Sequence, residues 1–81
     1  MNITIYTRQD CPLCLEGISS AVAVFGRDRV TLVDIDLDLS LIEKYTDRVP
    51  VVETSSGEII AEGIISVRTL RECADPTDST A

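Results

Sequence analysis

Residues 2–14, Asn2-Ile3-Thr4-Ile5-Tyr6-Thr7-Arg8-Gln9-Asp10-Cys11-Pro12-Leu13-Cys14, decide the fold. The first six alternate and are rich in β-branched and aromatic side chains, which predicts a short strand ending near Thr7. After the polar link Arg8-Gln9-Asp10, Pro12 suits the first position of a helix, where its missing N–H costs nothing, so a helix begins at Cys11. Two cysteines separated by two residues at a helix start can close a disulfide across one turn. The helix N-terminus favours negative charge, so Cys11, at or just before the first turn, is the expected thiolate and nucleophile. Cys14 sits one turn further in, placed to attack a mixed disulfide on Cys11 and release the reduced partner.

Outward from this segment the chain punctuates itself regularly. Leu15, Ile18, Val22 and Phe25 follow helical spacing, and Gly26 supplies the glycine common just past a helix end. Val30-Thr31-Leu32-Val33-Asp34-Ile35 predicts a second strand, and its nearly unbroken apolar run suits a strand covered on both faces. Ser40 and Glu43 fit a capping box for a short helix through Tyr45, with Asp38 as an alternative cap. Val49–Thr54 and Glu58–Ala61, joined by Ser55-Ser56-Gly57, read as a β-hairpin. After Gly63, Ser66 can cap a last helix with Val67, Leu70 and Ala74 on one face, ending before Pro76. The order β-α-β-α-β-β-α predicts an α/β domain: a mixed four-stranded sheet carrying three helices, with a right-handed βαβ crossover. The domain is expected to span 1–74, with 75–81 a polar, disordered tail.

Composition narrows the chemistry. The chain has 81 residues, 14 acidic against 7 basic and no histidine, for a net charge of −7. That balance opposes phosphate binding, and three aromatics, Tyr6, Phe25 and Tyr45, leave little surface for base stacking, so nucleic acid is not an expected partner. No apolar run approaches a membrane span, and the N-terminus lacks the basic and apolar stretches of a signal peptide, so the expectation is a cytoplasmic protein without membrane contact. Three cysteines are too few for a disulfide framework; the third, Cys73, is expected to pack in the core. Half of a zinc site is an alternative for the cysteine pair, but tetrahedral zinc needs four ligands. An iron–sulfur cluster bridged between two chains is another. Asp34, Asp36 and Asp38 could suggest a cation site, yet a strand end and a helix cap explain their alternation. No metal is expected.

Taken together, Tyr6-Thr7-Arg8, Cys11-Pro12-Leu13-Cys14, Val49-Pro50 before a hairpin and Gly63 before the last helix resemble the glutaredoxin family of the thioredoxin fold over residues 2–74. Asp34-Ile35-Asp36 and Asp47-Arg48-Val49-Pro50 are similar to small bacterial glutaredoxin-like proteins. The resemblance implies a dithiol thiol–disulfide oxidoreductase acting on protein or glutathione mixed disulfides. It holds no bound cofactor, with glutathione or a separate reductase restoring the dithiol, and it works as a monomer. An alternative is a dedicated redoxin that serves one client protein with little use of glutathione.

The resemblance also implies that the Val49–Pro50 bond is cis, and that substrate is held by Arg8, Pro12, Leu13, Val49, Pro50, Gly63 and Ser66. Arg8 would steady the Cys11 thiolate or meet a glutathione carboxylate; its other reading is a solvated loop arginine. Leu13 stands where the family often has tyrosine, and Glu62 where it has the first of two glycines. Glu62 and Glu16 are therefore expected to repel the anionic tripeptide, while the Ser66 N–H at a helix start is a candidate carboxylate donor.

Overall fold

The alternating strand at the N-terminus becomes the sheet's interior. In the computed structural model, which describes the backbone of residues 2–78 and the side chains of 2–73, β1 (Ile3–Thr7) leads to α1 (Pro12–Phe25). β2 (Val30–Asp34), α2 (Leu39–Tyr45), β3 (Val51–Thr54), β4 (Ile59–Glu62) and α3 (Val67–Asp78) follow. Single 3₁₀ turns at Arg27–Arg29 and Ile35–Leu37 precede β2 and α2. The order is the β-α-β-α-β-β-α expected from the sequence.

The strands lie in the order β2-β1-β3-β4, with β1 parallel to β2 and antiparallel to β3. Ile5 faces Leu32 on one side and Val52 on the other. Side chains alternate between two cores, as the period of two requires. Ile3, Ile5, Val52, Ile65, Leu70 and Ala21 join on the α1/α3 face. Ile35, Tyr45 and Val51 form the second core on the α2 face, where the Tyr6 and Tyr45 rings stack at 4.7 Å.

Four local readings change. β2 is an edge strand, with Thr31 exposed and Leu32 52% exposed, because an apolar run records side chains and not which strand becomes its neighbour. Asp38, not Ser40, caps α2: its carboxylate accepts the Ser40 N–H at 2.9 Å and the Ser40 hydroxyl at 2.7 Å, which holds the carboxyl below its ordinary range. Cys73 is half-buried rather than in the core, its thiol donating to the Ile60 carbonyl at 3.4 Å. Finally, α3 runs to Asp78, past the end expected before Pro76. The Ala74 side chain and residues 79–81 of the expected tail lie outside the described residues.

Candidate active site

Because β1 and β2 are parallel while β3 is antiparallel to β1 and β4, one end of the sheet gathers four segments. They are the link from β1 to α1, the turn after β2, the approach to β3 and the exit from β4. Every residue expected at the site belongs to one of these segments or to the first turn of α1.

Cys11 is the N-cap of α1, with extended backbone (φ −123°, ψ 96°) that frees its side chain to face the first turn. Its sulfur accepts the Cys14 backbone N–H at 3.1 Å, and its carbonyl accepts the N–H groups of Cys14 and Leu15 at 3.0 and 3.2 Å. One N–H of the helix start thus points at the Cys11 sulfur, where it and the helix dipole favour negative charge. Pro12 occupies the first helical position, as its missing N–H predicts. Cys11 and Cys14 form a disulfide with Cα atoms 5.2 Å apart. Cys14 is 2% exposed, whereas Cys11 is partly accessible and Pro12 and Leu13 are exposed beside it. An incoming molecule meets Cys11 first.

Val49–Pro50 is cis, as the resemblance implied. Pro50 is buried, and its carbonyl accepts the Gly63 N–H at 2.9 Å, joining the β3 approach to the β4 exit. Val49 is half-buried against the α2-side core. Gly63 has φ 76°, a conformation side chains other than glycine seldom adopt, while the space where its Cβ would sit is open. Its backbone angle, not crowding within the chain, calls for glycine.

Gly17 is a residue the sequence reading passed over. A Cβ there would lie 3.2 Å from Pro50 Cγ and 3.4 Å from Ile65 Cδ1, so this glycine lets α1 close on the proline. The available signal was a glycine inside a helix, where it costs about 1 kcal/mol relative to alanine and so often marks a close approach.

The charges near the site are paired in ways the sequence did not suggest. Arg8 donates to Asp36 at 2.7 and 3.4 Å and to the Thr46 carbonyl at 3.4 Å, tying together the segments after β1, after β2 and after α2. Asp36 raises the guanidinium above its ordinary range, with Asp34 and Asp47 adding to the same field. Arg8 is thus a partly exposed arginine in an ion pair with Asp36. Glu62, read as a repelling charge, is bridged by Arg48 at 2.6 and 3.2 Å, and this keeps its carboxyl below the usual range. Arg48 also lies 5.4 Å over the Tyr45 ring. Glu16 is exposed on α1.

The hydroxyl of Ser66 caps α3, accepting the Thr69 N–H at 3.1 Å and donating to Thr69 Oγ1 at 3.0 Å. Asp34 caps the turn after β2 and Asp38 caps α2, so with Asp36 on Arg8 each of the three aspartates has a structural partner. Cys73 sits about 10 Å along α3 from Ser66 at 1.5 Å per residue, away from the dithiol end.

An accessible sulfur at a helix cap, disulfide-linked to a buried partner one turn on, with a cis proline at the same end of the sheet, agrees with the sequence comparison: residues 2–73 match the model of the Glutaredoxin-like domain (DUF836). The chain belongs to this family. Its Cys11 and Cys14 fit a CxxC motif. The glutaredoxin-like chain has a thioredoxin-like fold, and it resembles the solved structure of target protein XcR50 from X. campestris at TM-score 0.79 and 30% identity, covering 90% of this chain and 95% of that one. The structure of a malarial protein shares the fold at TM-score 0.60 and 17% identity, covering 89% of this chain and 90% of that one. No curated protein matches the chain.

Proposed function

We propose that this glutaredoxin-like protein is a dithiol thiol–disulfide oxidoreductase that reduces protein or glutathione mixed disulfides. The observation that carries the reading is the asymmetry of the pair, a partly accessible Cys11 sulfur receiving a helix N–H and a buried Cys14. In the reduced protein the Cys11 thiolate attacks one sulfur of the substrate disulfide. A Cys11–substrate S–S bond forms, the substrate S–S bond breaks, and the leaving thiolate takes a proton from water. Cys14 then loses its proton and attacks the Cys11 sulfur. The Cys11–Cys14 bond forms, the second substrate thiolate leaves, and two electrons have passed from the dithiol to the substrate.

The disulfide form returns to dithiol at the expense of an external reductant, either two equivalents of glutathione or a dithiol reductase. That cycle suits a reducing compartment such as the cytoplasm. Both thiols sit on one chain, so a monomer suffices. Pro12, Leu13, Val49, Pro50, Gly63 and Ser66 are the proposed substrate surface around Cys11, with Arg8 bracing it through Asp36.

Turnover of a small mixed disulfide, run once with glutathione and its reductase and once with thioredoxin reductase, tests the reading. Activity is expected with at least one reductant and is lost in Cys11→Ser. Absence of turnover with both reductants contradicts it.

A further inference from the structure

The same end of the sheet exposes apolar side chains that no part of the chain covers among the described residues. Leu13 beside Cys11 is 41% exposed, Leu37 and Leu39 after β2 are 85% and 68% exposed, and Ile64 after β4 is 80% exposed. They belong to the segments that leave β2, begin α1 and leave β4, all at the end of the sheet that carries the dithiol. Three strand spacings of about 4.8 Å separate β2 from β4, about 14 Å in all, the span of roughly four extended residues. Leu13 also shares a helix face with Gly17, four residues on, where an added Cβ would meet Pro50 and Ile65.

Leu13 lies open beside the reactive sulfur, available to an incoming apolar side chain, and the charge around it selects the occupant. Arg8 is outnumbered by Asp34, Asp36 and Asp47, and Arg48 is matched by Glu62. Asp10 and Glu16 add two exposed carboxylates on either side of Cys11. The rim keeps a net negative field. It disfavours an anionic tripeptide and also a second copy of a chain that carries −7.

We infer that the dithiol end is a docking surface for an extended, disulfide-bearing segment of a partner protein, one carrying an apolar residue and a lysine or arginine next to its cysteine. This rests on the oxidoreductase reading and names its substrate class. The apolar residue covers Leu13 or Ile64 while the cation meets the excess carboxylates around Arg8. The partner disulfide is thereby held against Cys11 for the exchange already described, two electrons passing from the dithiol to the partner.

The test uses the full chain, reduced beforehand, in single-turnover exchange. Two synthetic peptides carry the same mixed disulfide with mercaptoethanol and the same leucine, and differ in a flanking lysine or glutamate. At low ionic strength the lysine peptide should react about tenfold faster or more, as steering by a charged rim predicts. The ratio should fall toward one near 1 M salt, where the Debye length is about 3 Å. Asp47→Asn should narrow the ratio several-fold, and replacing the peptide leucine with serine should slow both peptides.

The neutral disulfide of mercaptoethanol separates the two levels of the account. Equal rates for the two peptides, or faster reaction with glutathione disulfide, while the neutral disulfide still exchanges, overturns the docking surface alone. Failure to exchange even the neutral disulfide overturns the oxidoreductase reading and this inference with it.

Discussion

Gly17→Ala sets two effects against each other at the point where α1 meets the proline. Alanine inside a helix is favoured over glycine by about 1 kcal/mol. The added methyl, however, would sit 3.2 Å from Pro50 Cγ and 3.4 Å from both Pro50 Cβ and Ile65 Cδ1, inside the 3.5–4.0 Å at which carbon atoms rest, so about a few tenths of an ångström must be found. Neither neighbour yields freely. Pro50 is buried with its carbonyl held by Gly63, and Ile65 is 4% exposed with its carbonyl accepting the Ser20 hydroxyl at 3.2 Å. Overpacking of this kind costs about 1–3 kcal/mol, and the middle of that range leaves a net loss of about 1 kcal/mol. Urea denaturation measures it. With a slope near 1 kcal/mol per molar for a chain this small, the midpoint should drop by about 1 M. The bulkier Gly17→Val should lose more, and both should slow disulfide exchange by pushing the first turn of α1 away from Pro50. If Gly17→Ala instead raises stability by the full helix-propensity gain, the close approach is not what this glycine is for.

Three further outcomes follow from the same geometry. At neutral pH an alkylating probe should label Cys11 of the reduced protein before Cys73, since the Cys11 sulfur receives a helix N–H and Cys73 is half-buried on Ile60; mass mapping reads the order, and Cys73 first would reverse the assignment. Carbon NMR should find the Glu62 carboxyl titrating below the ordinary range, and Arg48→Ala should return it upward, because the bridge to Arg48 is the largest cause; no movement would mean that the ion pair does not persist in solution. The Tyr6 phenol is pushed up to about 12 from 10.0, first by burial and then by its hydrogen bond to Glu53. Its folded value is the higher one, so its contribution to stability is complete below about pH 10 and is lost between about 10 and 12. Tyr6→Phe should flatten that alkaline loss, and an unchanged slope would show that another group is responsible.

The parts of the site that depend on local chain chemistry were legible in the sequence. Pro12 and the adjacent cysteines mark the start of α1, Ser66 marks the start of α3, and Gly57, with φ 93°, marks the hairpin turn. What required the structure were relations between distant segments. Asp38 and Ser40 were both adequate caps, and only the backbone path after Asp34 chose between them. The Arg48–Glu62 bridge depends on the β3–β4 register, which shifts between Val52 and Glu53 and so cannot be counted off from the turn. Its discovery changes the meaning of Glu62: removing it does not simply delete a repelling charge but also releases Arg48. Gly17 could be seen as an odd helix residue, yet its reason lies in Pro50, more than thirty residues on. The edge position of β2 was likewise invisible, since Val30–Asp34 would read the same beside one neighbour or two.

The central claim is that exchange begins at Cys11 and is resolved by Cys14, and mass spectrometry of trapped intermediates tests it most directly. Each variant, reduced, is mixed with a disulfide substrate and quenched with acid. Cys14→Ser should accumulate a covalent adduct of one substrate half on Cys11, because the attacking sulfur is present and the resolving one is not. Cys11→Ser should accumulate none, since Cys14 is only 2% exposed. Equal adducts on both variants, or an adduct on Cys11→Ser alone, would contradict the ordered two-thiol mechanism.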